Sequence, residues 1–262
     1  MSPSPAVILR HDKGSGRALL FLHGWLMSGR VWGEQLPLAD RFRVLTVDLP
    51  GHGESHWPSF SYDDSVQSLV ELLDSLAIEK VCLIGWSMGA QLALQMCRTA
   101  PERLSGLVLV AGTPLFCMAD DFPHGLPRAE ARSMELRIKR NLQKASGEFF
   151  SLMFSAGELQ RGDLGRIAAT LLARLPDLQI AAESLHELIH TDLRDVLPAI
   201  EVPALIIHGS DDKICLPGAS RYMADRIPFA EMLPFEKVGH APFISRAGQF
   251  NSAVAAFAER LP

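Results

Sequence analysis

Five short apolar runs, each ended by a glycine or a turn, constrain this chain more than any other feature. Ala18-Leu19-Leu20-Phe21-Leu22 stops at His23-Gly24, and Arg43 to Asp48, Lys80 to Gly85, Leu104 to Ala111 and Ala204 to Gly209 repeat the pattern. Runs this short with little polar alternation suit strands buried on both faces of a parallel sheet. Helical periodicity fills the gaps. Ser61 with Asp64 makes a capping-box-like start for a helix carrying Val66, Leu69, Val70, Leu72, Leu73 and Leu76, and Met88 to Arg98 is rich in Ala, Leu and Gln. Ser28 to Leu38 is expected to give only a short helix, because Pro37 closes it. The βαβα alternation predicts an α/β fold with a doubly wound, mostly parallel sheet.

The rhythm breaks at Thr113-Pro114. From Leu115 to about Asp192 the pattern offers helical patches only, at Glu130 to Leu142, Gly147 to Phe154, Leu164 to Leu175 and Ile180 to Ile189. Strand-like sequence returns at Ala204 and again from Glu231 to Phe235, before an amphipathic helix from Gln249 to Arg260. We therefore expect a core made of residues 1–112 and 193–262, with residues 113–192 inserted as a helical cap. With 48% apolar and 21% charged residues, the chain has the composition of a globular protein.

Chemistry concentrates in Gly85-Trp86-Ser87-Met88-Gly89, a G-x-S-x-G sequence lying between an apolar strand and a helix. A nucleophile on so sharp a reversal has crowded neighbours, so small residues are needed two positions before and after it. An acid and a histidine should follow in chain order, each beyond the end of a later strand. His208-Gly209-Ser210-Asp211-Asp212 offers two acids, of which Asp212, three residues past the glycine, is preferred and Asp211 is read as a solvated turn residue. Val238-Gly239-His240-Ala241-Pro242-Phe243 supplies the base. In the predicted triad His240 takes the Ser87 proton and Asp212 orients the imidazole. The backbone amides of Met88 and Trp25 occupy the positions of an oxyanion hole.

The remaining histidines and cysteines carry blander readings. His23 is expected to be structural, and His52, although near Asp48 and His56, sits in a loop without metal-ligand spacing. His124, His186 and His190 fall in the cap without an evident partner. Cys82, Cys97, Cys117 and Cys215 are scattered and read as buried free thiols. No metal and no cofactor is expected. A net charge of -5 gives no global reason to bind nucleic acid. Met1 to Arg10 lacks the marks of a secretion signal and no later segment approaches a membrane span, so a soluble, cytoplasmic protein is expected, acting as a monomer.

Together these pieces resemble the pimeloyl-acyl-carrier-protein methyl ester esterases of biotin synthesis, a branch of the α/β-hydrolase superfamily. The resemblance is carried by His23-Gly24-Trp25 with Val31-Trp32, Val47-Asp48-Leu49-Pro50-Gly51, Gly85-Trp86-Ser87-Met88-Gly89, Pro101-Glu102-Arg103 and Gly239-His240-Ala241-Pro242-Phe243-Ile244-Ser245. It implies an α/β-hydrolase fold and a serine carboxylesterase that cleaves the methyl ester of a pimeloyl chain held on acyl carrier protein. It also implies substrate contacts at Trp25, Ser87, Met88, His240 and the cap residues Phe149, Phe150, Ser151, Leu152 and Met153. Cap arginines of that family face the acidic carrier; here Lys144 and Glu148 stand where two of them align, and Arg161 and Arg166 match the other two. Arg132, Arg137, Lys139, Arg140 and Lys144 form a local basic concentration suited to such a surface. A solvated helix face with Glu130 and Glu135 interleaved explains the same residues nearly as well. A short-chain carboxylesterase or a carbon-carbon bond hydrolase keeps the same fold and triad, and a non-catalytic binding module keeps the fold alone.

Overall fold

The computed structural model describes residues 7–262, apart from the side chain of Arg161. Met1–Ala6, the start of the segment read above for a secretion signal, lie outside the described residues. Seven strands form one sheet in the order β1-β3-β2-β4-β5-β6-β7. They are β1 (Ile8–Lys13), β2 (Ala18–Leu22), β3 (Arg43–Asp48), β4 (Val81–Trp86), β5 (Leu104–Val110), β6 (Ala204–Gly209) and β7 (Ala230–Phe235). All neighbours pair in parallel except β1, which runs antiparallel to β3 and bulges between Leu9 and His11. This is the mostly parallel α/β-hydrolase sheet. β1 escapes the apolar-run criterion because it is an edge strand with no fully buried residue. At the other edge, β7 carries Pro234, which an edge tolerates because one side of the strand needs no ladder donor.

Helices flank the sheet. Ser61 caps α1 (Tyr62–Ser75): its hydroxyl oxygen accepts the Asp64 amide at 3.1 Å. α2 (Met88–Thr99) starts directly after Ser87. Between β5 and β6 the chain forms α3 (Arg128–Arg140), α4 (Leu142–Leu152), α5 (Arg161–Leu171) and α6 (Leu178–His190), with isolated bridges at Cys117–Leu126 and Ala119–Phe122 but no named strand. α7 (Pro217–Ala224), α8 (Pro242–Ser245) and α9 (Ala247–Glu259) complete the fold. α7 is short and went unforeseen. The segment expected to stop at Pro37 instead continues as 3-10 turns over Gly29–Asp40 with a kink at Trp32, so Pro37 lies inside it. Short 3-10 turns demand fewer amide donors in a row than an α-helix, and the missing proline N–H costs less there.

Buried aliphatic residues of β2 to β6 make a continuous core, in which Trp32 packs on Phe243 at a ring separation of 4.2 Å. The parallel register brings the carboxyl ends of β2, β4 and β6 to one edge, pairing Leu22 with Gly85 and Trp86 with Val110. Crevices form at such edges in open α/β sheets. Crowding there is severe. A Cβ on Gly85 would stand 2.2 Å from the Gly89 carbonyl oxygen, and one on Gly89 would stand 2.5 Å from that of Leu22. Gly147, in the middle of α4, meets nothing within 4 Å. Gly85→Ala should therefore lower the unfolding free energy by about 1–3 kcal/mol through overpacking. Gly147→Ala should raise it by about 0.5–1 kcal/mol through helix propensity. Urea unfolding of both variants checks the pair, and equal effects would contradict the crowding argument.

Candidate active site

Ser87 ends β4 and precedes α2 with φ 57° and ψ −115°, a conformation that few residues other than glycine adopt. Its amide donates to Val110 on the neighbouring strand at 2.9 Å and its carbonyl accepts the Ala90 amide at 2.9 Å, so hydrogen bonds on both sides hold the strained turn. The side chain is thereby presented at the sheet edge. Gly24 makes the opposite wall: a Cβ there would come within 3.1 Å of the Trp86 ring and 3.3 Å of Ser87 Cβ. The amides of Trp25 and Met88 donate to no backbone carbonyl among the described residues, which leaves two N–H groups beside the serine.

Asp212 and His240 meet across the loops after β6 and β7. Asp212 Oδ2 accepts from His240 Nδ1 at 2.7 Å, while Oδ1 accepts the amides of Ile214 at 2.8 Å and Cys215 at 3.1 Å. Asp211 is exposed and, among the described residues, its carboxylate accepts only the Ser210 hydroxyl, at 3.0 Å. The geometry therefore joins Asp212, not Asp211, to the histidine. Burial alone would raise the Asp212 pKa, but the charge interaction with His240 and the hydrogen bonds from His208 and His240 outweigh it and hold the carboxyl well below its usual range.

His208 went unremarked as a site residue because it lies inside an apolar strand. Its Nε2 stands 2.8 Å from the Cys215 carbonyl and 3.1 Å from Asp212 Oδ2, and Nδ1 is 2.5 Å from the Ser220 hydroxyl. With the proton on Nε2, the ring donates to Cys215 and Asp212 and accepts from Ser220. Glu158 was also missed. Its carboxylate accepts the amides of Ser155 at 2.7 Å and Gly239 at 2.8 Å, and the Met153 carbonyl accepts the His240 amide at 2.7 Å. Trp86 Nε1 donates to the His240 carbonyl at 2.8 Å. Cap and core both fix the histidine loop. His240 Nε2 is buried and has no hydrogen-bond partner among the described residues, while the Ser87 side chain lies against the Cys215 thiol, whose pKa burial pushes well above the ordinary value.

The cap residues named from the resemblance divide. Phe149 packs edge-on against Trp25 at 5.1 Å, and with Leu152 it lines a cavity of about 70 Å³ that also touches Leu126, Met134 and Ile214. Phe150 turns instead to Phe154, Ser151 donates to the Gly147 carbonyl on the exposed side of its helix, and the Met153 side chain is buried away from that cavity. Helical geometry explains the split, since residues three apart share a face. Arg137, Arg140 and Lys144 line one groove between α3 and α4, with Glu148 3.9 Å from both Arg137 and Lys144. Arg166 lies elsewhere, paired with Asp163 at 2.8 Å, and the Arg161 side chain is outside the described residues. The four cysteines are free, although Cys97 is only partly buried.

The profile of the alpha/beta hydrolase family matches residues 19–253. The chain belongs to the alpha/beta hydrolase family. It is 34% identical over 241 residues to a pimeloyl-acyl-carrier-protein methyl ester esterase of Nitrosomonas europaea, covering 91% of this chain and 94% of that one. A protein of the same name from Aeromonas hydrophila is 33% identical over 239 residues, covering 90% and 93%. Among solved structures, an esterase from Exiguobacterium antarcticum superposes with a TM-score of 0.90 at 25% identity, covering 97% of this chain and 95% of that one. This alpha/beta hydrolase is an enzyme of the serine-hydrolase type. No helix among the described residues is long and apolar enough to cross a membrane.

His23 and His52 lie beneath this edge, their rings 5.2 Å apart. His23 Nε2 accepts the Leu49 amide at 3.0 Å and Nδ1 contacts the Gly24 carbonyl at 2.9 Å, so the neutral ring braces the loop that carries Trp25. Asp48 braces the next loop, accepting the amides of Gly29 at 2.7 Å and Glu54 at 2.9 Å. Burial pushes the His23 pKa from 6.5 down to about 4 and that of His52 down to about 3. Both stay neutral in the folded chain while the unfolded chain takes up protons below 6.5. Stability is thus full above pH 6.5 and falls as the pH drops toward about 4 and then about 3. Asp212 adds its own loss only below 3.8. Thermal midpoints between pH 7 and 4 should decline, and His52→Asn should flatten the slope; an unchanged slope would exclude His52 as a contributor.

Proposed function

We propose that Ser87, His240 and Asp212 form a catalytic triad that hydrolyses the methyl ester of a pimeloyl chain carried on acyl carrier protein. The observation that carries the chemistry is the 2.7 Å bond between Asp212 and His240 at the sheet edge that presents Ser87 on its strained turn. Support for the substrate comes from the shared name of relatives about a third identical over nine-tenths of the chain.

In this reading the Ser87 hydroxyl turns from Cys215 to His240 Nε2, which takes its proton as the oxygen attacks the ester carbonyl. The amides of Trp25 and Met88 receive the developing oxyanion. Collapse expels methoxide, which leaves as methanol with the proton from His240, and a water activated by the same imidazole frees the distal carboxylate and restores Ser87. Asp212 stays ionised and holds the imidazolium. The acyl chain runs along Trp25, Phe149 and Leu152, and the Arg137, Arg140 and Lys144 groove receives the carrier. A carrier-linked substrate assigns the reaction to the cytoplasm. Glu148 among these cations favours a second reading, a short-chain carboxylesterase with no carrier.

Purified protein should hydrolyse the carrier-linked methyl ester far faster than a free short-chain ester, with Ser87→Ala as the blank. Activity on the free ester alone would leave the second reading. Asp212→Asn should cost orders of magnitude more in kcat than Asp211→Asn, and the opposite ranking would move the acid role. Arg137→Glu with Arg140→Glu should raise KM for the carrier-linked ester and spare small esters; equal effects on both would remove carrier docking from this groove.

A further inference from the structure

A second cluster lies outside the triad, where the end of α6 meets α3. His186 and His190 stand four residues apart on α6 and share a face, their rings 4.2 Å apart and tilted by 39°. Glu135 faces them from α3. One ligand atom from each of the three lies within 4.8 Å of the others. Two imidazoles from one helical face and a carboxylate from a neighbouring helix form a mixed nitrogen and oxygen donor set. The surroundings suit a cation: the Glu187 carboxylate interacts with His186 and with Asp63.

We propose that Glu135, His186 and His190 form a binding site for a borderline divalent transition-metal ion such as Zn2+, clamping α3 to α6. Closure by about an ångström brings the donors to the roughly 3.4 Å spacing of a tetrahedron with ~2.1 Å bonds, with water in the fourth position. Both histidines are exposed and Glu135 is half-buried, so the ion reaches the site from solvent without opening the core. The clamp also touches the catalytic region indirectly. α3 contributes Glu130, Met134, Arg137 and Ile138 to the wall of the cavity beside Trp25, and α6 accepts the Trp25 indole N–H at the Ala181 carbonyl, 2.9 Å away. A bound ion therefore stiffens two walls of that cavity, whichever ester is cleaved. The sequence hid the site because an i, i+4 histidine pair is two ligands only, and the third comes from a residue about fifty positions earlier.

The test is titration of chelator-treated, full-length protein with Zn2+ alone, followed by calorimetry and by the thermal midpoint. One equivalent should bind and raise the midpoint by several degrees. His186→Ala, His190→Ala and Glu135→Gln should each weaken binding at least roughly ten-fold, since even groups that only orient a ligand have effects of that order. Co2+ bound in place of Zn2+ should give d–d absorption without a thiolate charge-transfer band, separating this site from the cysteines. Circular dichroism and hydrolysis of a small ester confirm that the variants fold. Absence of saturable Zn2+ binding, undiminished affinity in the His186→Ala, His190→Ala double variant, or a thiolate band would overturn the proposal.

Discussion

The close approach of three backbone segments at the carboxyl edge of the sheet governs this molecule. Gly85 and Gly89 let the strand-to-helix reversal fold back on itself and against the carbonyl of Leu22, and Gly24 lets the loop after β2 lie on Ser87 Cβ and the Trp86 ring. These contacts force Ser87 to φ 57° and leave the Met88 and Trp25 amides beside its side chain. Strain of this kind costs about 1–3 kcal/mol and persists only where the surroundings over-determine it. Here the surroundings are the parallel ladders of β2, β4 and β5, buried on both faces, so the stability of the sheet is what maintains the site.

Electrostatics imposes the second constraint. A buried carboxylate is tolerated only when its lone pairs are satisfied. Asp212 receives two backbone amides on one oxygen and two imidazoles on the other, which explains why the loop after β6 closes so tightly and why His208 occupies an otherwise apolar strand. The Cys215 carbonyl, which can only accept, places the His208 proton on Nε2, and Ser220 on α7 satisfies Nδ1. The short helix that sequence periodicity missed thus belongs to the support of the acid. Glu158 performs a similar task from the cap, holding the Gly239 amide and therefore the start of the histidine loop.

The central strands were legible because burial on both faces leaves an unmistakable apolar run, and β2, β3, β5 and β6 begin or end within a residue of their expected bounds. β1 was not, since an exposed edge strand needs no such run. Cap helices were expected in number and kind but misplaced by one to five residues at their ends: an N-terminal cap such as Asn141, accepting the Lys144 amide at 2.9 Å, defines α4 better than its apolar spacing does. Ser87, Asp212 and His240 were open to proposal from the sequence because each follows a strand that was itself legible. His208 was not, because it sits inside an apolar strand, and Glu158 was not, because the Gly239 amide it holds is 81 positions away.

The same distinction orders the cap's chemistry. Residues at the sheet edge are positioned by ladders that tolerate no slip, so their identities follow from motif spacing. Residues of α3 to α6 are positioned by helix-on-helix contacts, where a rotation of one residue turns a side chain by about 100° and exchanges a lining position for a solvated one. Phe149 and Leu152 face the cavity while Ser151 between them faces out, and Arg137 shares its groove with Glu148. Specificity written on such a surface depends on how firmly the helices are held. The Trp25 to Ala181 bond, the Met153 to His240 bond and the contact of Phe149 with Trp25 tie the cap to the core alongside the Glu158 to Gly239 bond. A change in cap packing therefore reaches the surroundings of Ser87 through Trp25 and the histidine loop.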